Sequence, residues 1–403
     1  VAQLWRIKGL YDLAAHWLAV GVTTAQELDD SVGEALALSH LGGIAQQKGD
    51  IGVAEGHWRR GLDLAYDADD DDTILTLLTQ LGDLADDRGQ LTMAEMYWRQ
   101  GLTLAESKGK TEAKIGLLTF LGHLLRKRGN YKQAEMNYRE ALDLAESVDN
   151  KRLRLNLMTD LGHLFAARDD YAGAQGYYQS ALGLAEGLGY RERISYLSVY
   201  YGDMLFYQGQ WDEAARYYGR GLFLAQEMGH RGNQSLVLGQ LGQLALVQGK
   251  LAEAASLWPD ALALAKAVQN PEQICVILGY QGDCWLIQEQ YEKGEEVVKE
   301  AVNVALQMGH NGLICASLYR LGMLAMLAGK EDEALVAFKD SEKIAEEVGL
   351  RRWLALGWWG QAQLMAQGGG VAEARELGER AAEVLEQLGH YGAAEVRAWL
   401  QQL

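Results

Sequence analysis

The side chains that could bind a metal stand at regular distances along the chain. His123 and His163 are separated by an interval that recurs throughout the sequence, and neutral imidazoles are good ligands for Zn²⁺. Residues 67–72 include five aspartates, but this run lacks the glycine and the closing glutamate of a calcium-binding loop. We therefore expect a solvated turn at the aspartates, and we expect neither a bound metal nor another cofactor.

Charged side chains of opposite sign are separated by the same distance. Asp86 and Asp87 come one such interval before Arg126 and Lys127. These groups could form ion pairs between adjacent helices, which contribute only about 0.2–1 kcal/mol each when they are partly exposed. Alternatively, they could clamp a terminus or a charged side chain of a bound peptide. The sequence does not decide between these two interpretations.

The sequence has no motif of a catalytic site. No segment resembles a phosphate-cradling loop, a metalloprotease helix or a nucleophile elbow. Cys275, Cys284 and Cys315 form no Cys-x-x-Cys pair, so we expect buried thiols in a reducing, cytoplasmic setting. We predict that the chain is not an enzyme.

Composition and charge narrow the range of partners. The net charge of −18 argues against nucleic acids, because proteins that bind them need a basic surface. A basic or amphipathic protein segment fits this charge better. No stretch approaches ~20 consecutive apolar residues, so we expect no contact with a membrane.

The same interval extends through nearly the whole chain. A Leu-Gly pair is followed by a second glycine seven residues later and by an alanine five residues after that. The Leu-Gly pairs begin at Leu41, Leu81, Leu121, Leu161, Leu241 and Leu321. A fixed period of about 40 residues is the signature of stacked repeats. Such proteins present long surfaces and have no single enclosed pocket.

The repeat at residues 111–150 predicts two helices. Leucines between positions 117 and 125 have helical spacing, which gives helix A one apolar face. Gly129 ends that helix, since glycine adopts the left-handed conformation easily. Helix B begins near Tyr131. Gly122 and Ala134 are small, so the two helices can approach closely, and Tyr138 fills the space towards the next pair.

This pattern resembles the tetratricopeptide repeat (TPR) in a long, 40-residue variant. The small-residue signature of the family corresponds to Gly122, Ala134 and Ala141, and its aromatic position corresponds to Tyr138. The resemblance implies an all-α fold, an α-solenoid of helix-turn-helix units that winds into a right-handed superhelix.

The period also predicts how the chain is divided. We expect a truncated first unit at residues 1–30, nine full repeat units at 31–390, and a capping helix at 391–403. Val1 aligns with Leu41, which lies inside helix A, so we expect the chain to be a fragment of a longer protein.

Two positions depart from the pattern. Pro259 falls inside a helix B, where it should kink or interrupt the helix. Gly378 stands where the repeat has an aromatic residue, in the last unit of the array. Atypical terminal units that cap an array are expected.

In TPR proteins the A helices line a concave groove that holds peptides or partner helices. If Gly122 and Leu125 face helix B, residues 119, 123 and 126 face the groove. The equivalent residues change from polar in the early repeats to aromatic and apolar in the later ones. The predicted partner-binding residues are Asp83, Asp86, His123, Arg126, His163, Tyr196, Tyr200, Asp203, Phe206, Tyr207, Leu246, Leu286, Tyr319, Met323, Met326 and Trp359.

The apolar half of this groove has two interpretations. It could be an open docking surface, because contiguous exposed apolar surface usually marks a binding site. In that case Tyr200 and Phe206 contact the partner, and their removal should hardly change the melting temperature. Alternatively, these side chains are packed inside the superhelix or covered by a C-terminal helix that folds back.

The resemblance implies a non-catalytic module for protein–protein interaction. The Leu-Ala-rich B helices of this chain look like those of repeat arrays attached to bacterial signal-transduction ATPases with numerous domains (the STAND class). We therefore expect a sensor or recognition arm of a larger signalling protein, which binds a peptide or helix and contacts an upstream domain of the same polypeptide. The alternative is a stand-alone scaffold or adaptor.

Overall fold

The computed structural model describes residues 11–403, and every regular element in that range is an α-helix. The chain divides into two compact units, unit 1 up to Asn150 and unit 2 from Lys151 to Leu403. Unit 1 contains α1 (Tyr11–Glu27), α2 (Ser31–Lys48), α3 (Ile51–Asp67), α4 (Asp71–Asp87), α5 (Leu91–Ser107), α6 (Thr111–Lys127) and α7 (Tyr131–Ser147). Unit 2 contains α8 (Lys151–Ala167), α9 (Tyr171–Leu188), α10 (Arg191–Tyr207), α11 (Trp211–Glu227), α12 (Arg231–Val247), α13 (Leu251–Ala267), α14 (Pro271–Ile287), α15 (Tyr291–Met308), α16 (Asn311–Leu327), α17 (Glu331–Val348), α18 (Arg351–Gln367), α19 (Val371–Gln387) and α20 (Gly392–Gln402). The truncated helix A expected at the start of the chain falls on residues 1–10 and lies outside the described residues.

The helices of each unit alternate between two kinds. Even-numbered helices up to α18 are A helices, odd-numbered helices are B helices, and consecutive helices within a unit pack against each other. Each unit is therefore a stack of helix pairs, an all-α solenoid as the repeat predicts. The turns place one residue at positive φ, for example Gly129 at 76°, where glycine has no steric penalty. Helix B of this repeat begins at Tyr131, as predicted.

Close approach of the two helices in a pair explains the Leu-Gly pattern. A Cβ atom on Gly122 would lie 2.4 Å from Cε1 of Tyr138, whose ring is fully buried beneath it. The same arrangement joins Gly162 to Tyr178 in unit 2, at 2.5 Å. Any side chain at these glycines would displace the ring that fills the repeat. The pairs are thus held by interlocking shapes, as in other close-packed protein interiors.

The last repeat of unit 2 shows why its aromatic position is a glycine. A Cβ atom on Gly378 would lie 2.7 Å from the Trp399 ring and 2.9 Å from the Leu400 side chain. Both of those residues belong to α20, so the final helix supplies the bulk that a B helix usually carries itself. Pro259 does not interrupt its helix, which was one of the two outcomes expected from the sequence. Helix α13 continues through this residue from Leu251 to Ala267.

Unit 2 is closed by contacts between residues that are far apart in the sequence. We call this set the clasp; it joins residues 168–171 and 207–211 to residues 350–352 and 388–391. Asp169 is only 3% exposed and accepts a hydrogen bond from the backbone N–H of Arg352 at 2.8 Å. The Tyr391 N–H donates to the Tyr207 carbonyl at 3.0 Å. The first two repeats of the unit are therefore bound directly to its last repeat.

Aromatic rings fill the interior of the clasp. Arg352 lies 4.9 Å from the centre of the Tyr207 ring, and the His390 ring stacks on Tyr391 at 4.7 Å. Tyr391 in turn meets the edge of Phe206 at 5.7 Å. Burial lowers the pKa of His390 to about 3, and the charge of Arg352 adds to the effect. The imidazole is therefore neutral at physiological pH and packs as an aromatic ring.

None of the helices in residues 11–403 is both long enough and apolar enough to cross a membrane.

Candidate functional site

A pocket of about 440 Å³ opens on the A helices of unit 1. It is lined by Gly43, Gln46 and Gln47 of α2, by Gln80 and Asp83 of α4, and by Tyr11 and Trp58 of the B helices. Gly43 occupies the repeat position at which the next two repeats have Asp83 and His123. Because glycine has no side chain there, the space beside Asp83 stays open. Its volume falls within the usual range of ligand sites, about 300–1,000 Å³.

Among the described residues that line this pocket, Asp83 has the only charged side chain. Burial raises the pKa of Asp83 to about 6, and the nearby carboxylates of Asp87 and Asp86 add to the rise, while a contact with the Trp98 indole opposes it. Within residues 11–403, no Lys or Arg contributes to this balance. Asp83 therefore holds a partly desolvated negative charge without a cation beside it.

Two other predicted site residues of unit 1, Asp86 and His123, have partners within the fold. Lys127 donates to Asp86 at 2.6 Å, which is the ion pair between adjacent helices considered in the sequence. The His123 ring meets Tyr138 edge-on at 5.6 Å. Arg126 is half-buried on the same surface. Asp86 and His123 are thus tied to the repeat itself.

In unit 2, His163 lies inside a group of tyrosines. Its Nδ1 is 2.8 Å from the Tyr178 hydroxyl, and its Nε2 is 3.1 Å from the Tyr196 hydroxyl. The Tyr200 ring packs edge-on against the imidazole at 4.7 Å. Both ring nitrogens are occupied by hydrogen bonds, so His163 orients tyrosines and is not available as a ligand for a metal or a partner.

Asp203 lies in a second polar network of unit 2. It is 8% exposed, and the Tyr218 hydroxyl donates to its Oδ1 at 2.7 Å. Burial raises the pKa of Asp203 to about 7, while hydrogen bonds from Tyr218 and Gln240 oppose the rise. Gln240 also accepts a hydrogen bond from the Tyr280 hydroxyl at 2.8 Å. The network links three successive A helices, α10, α12 and α14.

The equivalent aspartate two repeats later is paired with a cation. Arg320 donates through Nε to both oxygens of Asp283 at 2.9 Å. The guanidinium also lies 5.6 Å from the Tyr280 ring centre and packs beside Gly279. Burial raises the pKa of Asp283, although the Arg320 charge opposes the rise. Sequence reasoning did not select this pair.

The burial of several side chains contradicts part of the predicted groove. Four of the predicted partner-binding side chains are less than a tenth exposed: Asp203 at 8%, Phe206 at 5%, Leu246 at 7% and Met326 at 4%. The expectation that they face an open groove is wrong, because neighbouring repeats and the clasp cover them. Tyr196, Tyr200, Tyr207, Leu286, Tyr319, Met323 and Trp359 are half-buried. The apolar half of the groove is largely packed against itself in unit 2.

The pocket of unit 1 brings together residues that the sequence analysis missed. Only Asp83 was selected there, whereas Gln46, Gln47 and Gln80 were not. The sequence did contain a signal, since Gly43 departs from the bulky or polar residues at the same position of later repeats. Asp169 had a similar signal. Most of the equivalent turns have glycine at positive φ, but this turn holds an aspartate at 58°.

Other groups considered for chemistry show no assembled site. In the described part of the chain, no group of three or more His, Cys, Asp or Glu side chains is arranged to hold a metal ion. Cys275, Cys284 and Cys315 are buried, unpaired thiols. Burial raises the pKa of Cys315 to about 12, which keeps it in the unreactive thiol form.

We expect the contribution of Asp203 to the stability of unit 2 to fall between pH 5 and pH 8, because this aspartate must ionise in a buried site. An aspartate of an unfolded chain titrates near pH 3.9, whereas the pKa of the folded one is about 7. Between these values the folded state binds this proton more tightly, so the contribution of Asp203 is largest at low pH and falls as the pH rises. Asp203→Asn should remove a fall of roughly 1–3 kcal/mol in the free energy of unfolding between these two pH values. Urea titrations at both pH values measure it.

The control for this experiment is Asp260→Asn, which neutralises an exposed carboxylate of the same unit. It should leave the pH dependence as in the original protein. An Asp203→Asn protein whose stability falls as steeply as the control would show that Asp203 is not the group responsible.

Repeats in the first half of the chain match a known family model. The model described as the MalT-like TPR region matches residues 15–196. The repeats in that range are of the TPR type. TPR-type repeats are non-catalytic modules. No curated protein matches the sequence.

Solved TPR structures share this fold at low sequence identity. A Rap protein complexed with competence and sporulation factor matches with a TM-score of 0.64 and 14% identity, covering 93% of this chain and 99% of that one. The Rap conjugation gene regulator of plasmid pLS20, complexed with the Phr* peptide, has a TM-score of 0.62 and 14% identity and covers 83% and 94%. A STAND protein of Pyrococcus horikoshii with a TPR sensor reaches 0.47 at 14% identity, over 86% of this chain and 54% of that one. At identities this low, the two Rap structures show a shared fold and nothing about function. The TM-score of the STAND protein is too low to support a conclusion.

Proposed function

We propose that the chain is a non-catalytic module that binds an extended or helical segment of a partner protein on the A helices of unit 1. The observation that carries this proposal is the open pocket at Asp83, which combines polar and aromatic walls with a volume of about 440 Å³. Convergent polar groups that fix the orientation of a ligand are a usual feature of binding sites. Two of the solved structures with this fold are complexes, one with competence and sporulation factor and one with a peptide, which supports a peptide as the ligand.

The surface of unit 1 suits this role better than that of unit 2. The predicted groove residues of unit 2 include four that are less than a tenth exposed, and the clasp covers Phe206. In unit 1, Gln47 is exposed and Gln46 and Asp83 are partly exposed. A partner can therefore reach unit 1 without displacing packed rings. The negative charge of the chain favours a basic or amphipathic segment.

We further propose that the module serves as the recognition arm of a larger cytoplasmic signalling protein, the role implied by the resemblance to STAND-associated arrays. A stand-alone scaffold is the alternative. The two roles differ in the polypeptide that surrounds the module. A nucleotide-binding domain directly upstream in the full-length sequence supports the recognition arm, and a start codon within a few dozen residues upstream supports the scaffold.

We expect Gln47→Trp to weaken peptide binding at least tenfold, because an indole at this position would cover the pocket without changing its charge. Peptides are first selected from a random phage-displayed library on the purified chain, and their affinities are then measured by titration calorimetry. Gln100→Trp is the matched control, since Gln100 is equally exposed but lies on a B helix of the same unit. Peptides that bind the Gln47→Trp protein as tightly as the control do not use this pocket.

A further inference from the structure

We propose that the pocket of unit 1 is a subsite for the guanidinium group of an arginine side chain in the partner segment. This inference rests on the proposed function and names the chemistry that the pocket recognises. The other repeats provide a comparison, because the position of Asp83 recurs in each of them in a different environment.

Three polar residues at this repeat position in unit 2 have side-chain partners. In unit 2, Asp283 binds Arg320 through two hydrogen bonds of 2.9 Å. Asp203 accepts a hydrogen bond from Tyr218, and His163 has a tyrosine hydroxyl at each ring nitrogen. Asp83 stands at the same position in unit 1, where the Trp98 indole contacts it as Tyr218 contacts Asp203, and no Lys or Arg of residues 11–403 contributes to its pKa. The pocket thus has the carboxylate of the Asp283–Arg320 pair without its guanidinium.

The lining of the pocket supplies further acceptors and no competing cation. Gln46 directs its Nε2 to Asp87 at 3.5 Å, which turns its amide oxygen away from that carboxylate. Gln80 already uses its Oε1 to accept a hydrogen bond from Ser39 at 2.9 Å, and that oxygen has a second lone pair. None of the described lining residues is basic. A positively charged ligand group with several N–H donors can pair both with the Asp83 carboxylate and with the glutamine amide oxygens.

Arginine fits these requirements better than lysine. Its guanidinium carries five N–H donors in a planar fork and matches a carboxylate with two parallel hydrogen bonds. Trp58 and Tyr11 contribute aromatic atoms to the wall, which suit the methylene stem of the side chain. Because Asp83 is already partly desolvated, a bound cation regains electrostatic energy that the free protein lacks.

The test compares two peptides that differ only at the end of one side chain, where citrulline has a neutral ureido group in place of the guanidinium. The probes are Gly-Gly-Arg-Gly-Gly and the same peptide with citrulline for arginine, both acetylated and amidated, with affinities measured by ligand-observed NMR. We expect the arginine peptide to bind at least about tenfold more tightly, a difference of about 1.4 kcal/mol. Asp83→Asn, which keeps the shape of the side chain, should abolish that preference. Asp63→Asn neutralises an exposed carboxylate of unit 1 and should preserve it.

Equal binding of the arginine and citrulline peptides would overturn the proposal. So would an arginine preference that survives Asp83→Asn, or a lysine peptide that binds as tightly as the arginine peptide. Circular dichroism and melting curves show whether the Asp83→Asn protein is folded. Failure of this test is distinct from failure of the proposed function, because library peptides blocked by Gln47→Trp would still show that the pocket binds a partner through other groups.

Discussion

The double substitution Tyr200→Ala and Phe206→Ala is expected to lower the free energy of unfolding of unit 2 by about 4–7 kcal/mol, as the loss of a buried phenylalanine costs about 3–5 kcal/mol alone. Phe206 is 5% exposed and touches Tyr391 in the clasp. Tyr200 packs on His163 and lies 5.7 Å from the Tyr178 ring. Urea unfolding followed by tryptophan fluorescence and circular dichroism measures the change.

A matched control keeps the same residue types at exposed positions. Tyr190 is 41% exposed and Phe223 is 59% exposed, both in unit 2. Their joint replacement by alanine should change the free energy of unfolding by less than about 1 kcal/mol. A Tyr200→Ala, Phe206→Ala protein as stable as this control would mean that the two rings lie on an open groove, which is one of the two interpretations of the sequence.

The substitution Asp169→Gly is expected to open the clasp. Removing the carboxylate leaves Arg352 buried without its partner, which costs about 3–5 kcal/mol for pairs of this kind. Glycine also relieves the positive φ of 58° at this turn, and this relief returns about 1–2 kcal/mol. The net loss of stability should therefore be about 1–4 kcal/mol. Hydrogen exchange should accelerate at the backbone amide of Arg352, which donates to Asp169 in the intact protein.

Glu289→Gly provides the comparison for the clasp. Glu289 also lies at positive φ, 57°, in the equivalent turn of a later repeat, and it is exposed. This substitution relieves the same strain without removing a buried contact, so its effect on stability should be neutral or favourable. If the amide of Arg352 stays protected in Asp169→Gly, the clasp does not depend on the carboxylate.

The repeating unit can be read from the amino-acid sequence without the structure. The regular period, the end of helix A at Gly129 and the start of helix B at Tyr131 all follow from local signals. So does the match between Gly122 and Tyr138, since both lie within one helix pair. Solenoid repeats contact mainly their neighbours, so the pattern within a single repeat contains most of the information that specifies each pair.

Which side chains are accessible depends on the assembled fold. Helical spacing placed Phe206 and Leu246 on the groove side of their helices, but it could not show what covers that side. The contact of Asp169 with Arg352 joins residues 183 positions apart, and no periodic pattern encodes such a pairing. The pocket beside Asp83 likewise depends on several helices meeting around Gly43. Local sequence fixes the direction of a side chain, whereas burial depends on elements brought together by the whole fold.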